Sequence, residues 1–307
     1  MFRRLLVPLD GSAMAEAAIP VAARFAAHTG ASLTLVHVIE RNAPTAVHRE
    51  RHLVNAEEAE AYLGQTARLP ALAGLTVDTH VHTAEVSDVA ASIYEHSAEL
   101  GPDLVVMTTH GRGGARRLIF GAIAQQVIAL GTTPVLLVRP SAAVAGPAGT
   151  AGLQTILAPI DGDPDHEKSL PVAAELAVAF SCGLHLLMVV PGFRHLSGSA
   201  AAAGMLLPGA TRLKLEMDTA GAEEYVQARR AELSQSGVAA TCEVFRGDPA
   251  RAIVKSTRRL ACGLVVMGTH GRAGTDAFWA GSVAARVVAH SRAPVLLVPL
   301  QGGRKTS

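Results

Sequence analysis

The sequence predicts an α/β fold in two tandem copies, each a five-stranded parallel sheet with helices on both faces. Three observations predict it. First, the chain repeats itself: residues 5–11 (LLVPLDG) return at 156–162 (ILAPIDG), 103–112 (DLVVMTTHGR) at 263–272 (GLVVMGTHGR), and 133–138 (TPVLLV) at 293–298 (APVLLV). Three matches in one order mean duplication of a whole domain rather than a short solenoid repeat. Second, strand and helix signals alternate strictly within each copy, which right-handed crossovers turn into a parallel sheet covered on both faces. Third, 49% of the residues are hydrophobic and 17% charged, enough to bury a real core.

In the first copy, residues 5–9 form a short apolar run suited to a buried strand. Ser12 can cap a helix running to about Thr29, with Gly30 as its stop. Strands follow at 32–39 and 76–82, around a charged helix at 49–69. A helix at 88–100, a strand at 104–107, a helix at 121–130 and a last strand at 135–138 complete the copy. The second copy places its strands at 155–160, 184–190, 240–245, 264–267 and 295–298. Its segment 191–210, rich in Gly, Ala and Ser, reads as a mobile loop at the carboxyl edge of the sheet. The stretch 140–152 reads as a linker, so the predicted domains are 1–140 and 153–301.

Composition excludes several classes. The 307 residues carry a net charge of +1, too little for a general nucleic-acid binder. Aromatics are only 4%, which disfavours a base-stacking surface. Cys182, Cys242 and Cys262 are odd in number and form no CxxC, which fits a reducing cytoplasm and no disulfide framework. The apolar run after Arg4 stops at Pro8, too short for a signal peptide, and no stretch is long enough to span a membrane.

Ligands of open α/β sheets bind beyond the carboxyl ends of strands, where the strand order reverses. In the second copy the turn after the fourth strand carries Gly268 and Gly271, then Gly281, Ser282 and Val283 at a helix start. Glycines let backbone N–H groups approach an anion, and a helix start favours negative charge. Ser282 can donate a further hydrogen bond, and Arg272 adds positive charge. Asp161, after the first strand, can accept from a ribose hydroxyl or hold a magnesium ion. A tight strand–helix turn also explains glycines without any ligand, so on spacing alone the phosphate reading stays open.

The spacing Gly268, Gly271, Gly281, Ser282, with the opening Pro-x-Asp and the closing PVLLV, resembles the ATP-binding branch of the universal stress protein family. The resemblance spans nearly all of both copies. It implies a sheet ordered 3-2-1-4-5, ATP as ligand, and Val189 beside the adenine. In the first copy Asp10, Val38, Gly111 and Gly121 match, but Thr108 replaces the first glycine and Ala122 the serine. Loss of a hydroxyl bond to a charged phosphate costs about 1.5–3 kcal/mol, roughly tenfold or more in affinity. The second copy is therefore expected to bind ATP tightly, and the first weakly or not at all.

No Walker lysine and no Ser-His-Asp or Cys-His arrangement stands out, so no catalytic residue is assigned. Two alternatives to a regulatory ATP-binding protein stay open: a slow ATPase or phosphoryl-transfer enzyme using Asp161 and magnesium, and a nucleotide-free scaffold. The spacing of His48 and His52 could share a helix face, but an exposed charged helix explains them better than a metal. His80 and His82 read as solvated, and His110 and His270 flank the glycine turns. The apolar edge strands predict an intramolecular pseudo-dimer, with a further homodimer as an extension. No downstream protein partner is identified.

Overall fold

Continuous apolar runs become strands that are buried on both faces, as parallel sheets require. The computed structural model describes residues 1–41, 46–47, 50–51, 53, 55–109, 121–140, 153–196, 198–269 and 282–300. In the first half the main strands are β1 (Arg4–Pro8), β2 (Ser32–Glu40), β5 (Val77–Val86), β6 (Leu104–Thr108) and β7 (Val135–Val138), and β3 (Ala46–Val47) pairs with β4 (Glu50–Arg51) in a separate two-stranded sheet. In the second half they are β8 (Thr155–Ile160), β9 (Gly183–Val190), β10 (Ala240–Arg246), β11 (Leu264–Thr269) and β12 (Val295–Pro299). The sheet order is β10-β9-β8-β11-β12-β7-β6-β1-β2-β5, which is 3-2-1-4-5 within each half.

Within each half, the strand pairs of the ten-stranded sheet are all parallel. The two halves meet through one antiparallel pair, β7 with β12, in which Leu136 opposes Leu296 and Val135 opposes Leu297. Both members of each of these pairs fall in the same core. Leu136 and Leu296 belong to the cluster on one face, Val135 and Leu297 to the cluster on the other. The period-2 alternation of strands thus carries both cores across the seam.

Helices α1 (Ala13–Glu16), α2 (Ile19–Thr29), α3 (Ala56–Thr66), α4 (Val89–Glu99) and α5 (Ala122–Leu130) cover the first half. The second carries α6 (Ser169–Ala179), α7 (Gly198–Leu206), α8 (Pro208–Gln235), α9 (Pro249–Arg259) and α10 (Val283–His290). One face also joins the halves by ring contact: Phe25 of α2 lies edge-on to Phe180 at 5.1 Å, and His28 stacks on the same ring at 4.4 Å.

The sequence expectations need four corrections. The helix expected over 12–29 is split into α1 and α2, because Pro20 lies in the first turn of α2. Its ring clashes with the carbonyl four residues earlier, so a continuous helix breaks there. The helix expected at 49–69 starts only after Asn55, whose side chain accepts the Glu58 N–H at 2.8 Å. The segment 191–210 is not a loop. It holds a 3-10 turn (Phe193–His195), α7 and the start of the 28-residue α8. Its alanine run has high helix propensity, which outweighs the glycines. Finally, His80 and His82 are half-buried rather than fully solvated. They pack on His96 of α4, with ring centroids 4.7 and 4.9 Å away.

Candidate functional site

The order reverses between β8 and β11, so their carboxyl ends flank a crevice. Asp161 leaves β8 there and is followed by Gly162 at φ +84°, a left-handed conformation that favours glycine. The Asp161 carboxylate is already engaged. It accepts the Asp163 N–H at 3.1 Å and the His166 Nδ1 at 2.6 Å. That hydrogen bond holds the His166 imidazole above the ordinary histidine range. The Asp163 carboxylate lies 3.8 Å from the other ring nitrogen of His166. Sequence reading missed His166, although its place in the short turn Asp161-Gly-Asp-Pro-Asp-His166 was a local signal.

Gly268 sits opposite, in β11. A Cβ there would lie 2.9 Å from Leu300 Cδ2 and 3.0 Å from the His166 carbonyl oxygen. The 163–168 turn therefore approaches the strand so closely that only glycine fits without a shift. Glycine at this position serves the chain's own packing, whatever it also does for a ligand.

Ser282 is the N-cap of α10, and its Oγ accepts the Ala285 N–H at 3.1 Å. The hydroxyl proton is then free to donate outward. Val283, half-buried, opens the helix, whose first-turn N–H groups have no intrahelical acceptors. Val189 is half-buried near the end of β9, opposite Phe245 of β10. Gly271, Arg272 and Gly281 lie outside the described residues, as do His48, His52, His110 and His270.

The first half repeats this layout with different chemistry. Asp10 precedes Gly11 at φ +83°. Its carboxylate accepts the Ser12 N–H at 3.0 Å and the Ser12 hydroxyl at 2.6 Å, and Ser12 in turn caps α1. Thr108, buried, stands where Gly268 stands. Gly121 caps α5 without a side-chain acceptor and donates its own N–H to Thr109 O at 2.7 Å. Ala122 follows with no hydroxyl. Val38 is buried, in register with His82. Gly111 lies outside the described residues.

The family model of the universal stress proteins matches residues 1–139 and again 152–299. The chain belongs to the universal stress protein family. A universal stress protein of Mycobacterium tuberculosis is 28% identical over 95% of this chain and 96% of its own length. Universal stress protein YxiE of Bacillus subtilis is 28% identical over 45% of this chain and all of its own length. Among solved structures, a universal stress protein from Archaeoglobus fulgidus aligns over 97% of this chain and 96% of its own, with a TM-score of 0.69 at 16% identity. That last likeness concerns the fold alone. The family places both halves in one fold and leaves the difference between their turns to be read from the residues.

Among the described residues, no group of three or more His, Cys, Asp or Glu is arranged to hold a metal ion. The three carboxylates Asp161, Asp163 and Asp165 instead surround His166 and the turn's own backbone. No helix among the described residues is long and apolar enough to cross a membrane.

Proposed function

We propose that this universal stress protein is a regulatory ATP-binding protein in which residues 153–301 form the nucleotide domain and residues 1–140 a degenerate copy. The observation that carries the reading is Ser282, which caps α10 at the strand-order reversal and keeps its hydroxyl proton free. Gly268 ends the strand and Val283 opens the helix, and by their place in the sequence Gly271, Arg272 and Gly281 are assigned to the same phosphate site. Val189 borders the adenine. A ribose hydroxyl takes a lone pair of Asp161 left over beside His166. The helix start at Ser282 and Val283 would hold the phosphates of a bound nucleotide. The chain's residues orient it through backbone N–H groups, which needs no basic surplus.

Asp10, Val38, Gly111 and Gly121 form the weaker copy. The pairing of β7 with β12 supports reading the halves as an intramolecular pseudo-dimer. The three free cysteines fit a cytoplasmic location, and burial pushes the Cys182 and Cys262 thiols up to about 11. Nucleotide released on denaturing freshly purified protein tests the reading. Adenine nucleotide near one per chain supports it. A chain that is empty and refuses added ATP is a scaffold. Steady phosphate release abolished by Asp161→Ala would make it a magnesium-dependent ATPase instead.

A further inference from the structure

Two helices at corresponding places in the halves carry opposite charge. Asp88 caps α4 and Asp248 caps α9, each accepting the N–H three residues on at 2.9 Å, so the two helices align residue by residue. Glu95 of α4 then corresponds to Lys255 of α9, and Glu99 to Arg259. All four are exposed, as are Arg251 and Arg258. Ala91 stands where Arg251 stands. No Lys or Arg occurs in α4, and no Asp or Glu in α9.

The basic side is poorly neutralised. Arg286 is taken up by Asp248 in a bidentate pair at 2.8 and 2.6 Å, and Arg259 pairs with Glu243. Among the described residues, Arg251, Lys255 and Arg258 form no salt bridge. They line a cleft of about 560 Å³ between α9 and α10, with Arg286 and His290. Arg139, leaving β7 beside this cluster, is held below the ordinary arginine range by burial and by Arg258 and Arg292.

Both helices lie on one face of the sheet. Ala90 and Ile93 of α4 share a core cluster with Ala250 and Ile253 of α9 and with Leu137 and Leu297 of the seam. The acidic and basic patches therefore share one face but lie on opposite sides of β7–β12, with α5 and α10 between them. A second copy stacked on this face has two simple two-folds available. An axis along the strands puts α4 over α9 of the other copy, twice. An axis across the strands puts like charges together and is repelled. Charge thus selects one closed, isologous arrangement.

We propose that this face is a dimer interface, in which the basic α9 of one copy docks on the acidic α4 of a second copy of the same chain, and reciprocally. The test is the mass of the whole chain by sedimentation equilibrium. At low salt the wild type is expected to run at twice 31.7 kDa and to fall toward the monomer at 1 M salt, where the screening length is ~3 Å. Glu95→Lys with Glu99→Lys makes both patches basic, and Lys255→Glu with Arg258→Glu makes both acidic. Each double variant alone should weaken the dimer roughly tenfold or more, and an equimolar mixture of the two should restore it. Helical circular dichroism of each variant reports that it is folded. A wild type that stays monomeric at low salt overturns the proposal, as does one that instead binds duplex DNA on this face. A dimer indifferent to both variants, or a mixture that does not recover, also overturns it.

Discussion

The two halves share a sheet, a seam and an Asp-Gly turn at φ near +83°, yet their crevices are closed by different means. In the second half Ser282 caps α10 and the turn bearing His166 packs on Gly268. In the first, Gly121 caps α5, its N–H is spent on Thr109 O, and Thr108 fills the strand. A duplicated strand frame thus tolerates drift at the turns. Buried strand positions on both faces are fixed by packing, whereas turn residues answer only to their local backbone and to any ligand. The loss of the Ser282 hydroxyl in the first copy, where Ala122 stands, needs no change in the sheet.

The largest expected effect concerns the seam that makes the comparison meaningful. Leu296 and Leu136 are both fully buried and face each other. Leu296→Ala should cost about 2–5 kcal/mol. Urea denaturation should still show one transition, since both cores cross the seam. Two separate transitions in the wild type would mean that the halves are independent.

Next comes the glycine that differs. Gly268→Ala forces a Cβ to within 2.9 Å of Leu300 and 3.0 Å of the His166 carbonyl. It should destabilise the protein by about 1–3 kcal/mol, as overpacking does. An unchanged denaturation midpoint would show that the 163–168 turn yields easily and would weaken the packing explanation.

Smaller again is the cap. Ser282→Ala should cost about 1 kcal/mol, whereas glycine at a cap costs only a few tenths. Ser282→Gly therefore separates stability from ligand binding. Thermal denaturation should show little change for the glycine variant and a lower midpoint for the alanine one.

The smallest effect is a difference in pH response. Burial, then His96 and His82, holds His80 below the ordinary histidine value. Folded His80 binds fewer protons than unfolded, so its contribution is present above the unfolded value of ~6.5 and is lost as pH falls below it. His80→Gln should flatten that loss in a denaturation series from about pH 7 to 5. His166 has the opposite sign: its value is raised, so its contribution is full below the unfolded value and fades as pH rises through the folded one. Because the Asp161–His166 pair is partly exposed, with 58% and 35% of the side chains accessible, that second effect should be small.

The strands and their alternation were legible because runs such as Leu104–Met107 are apolar on both faces and stop at turn residues. The break at Pro20 and the start at Asn55 were legible in principle, since both are local signals that the apolar periodicity overrode. The contacts of His80 and His82 with His96 were not, because they join a strand to a helix across intervening chain. Nor was the approach of the His166 carbonyl to Gly268, which depends on how a turn folds back over a strand 102 residues away. At the candidate site, the residue types were readable, and the engagement of Asp161 by His166 was not.

On this reading the two copies are unequal toward nucleotide. Calorimetric titration of the intact chain with ATP tests it most directly. One tight site per chain is expected, weakened roughly tenfold or more in Ser282→Gly. Two equal tight sites, or one site indifferent to Ser282, would contradict it.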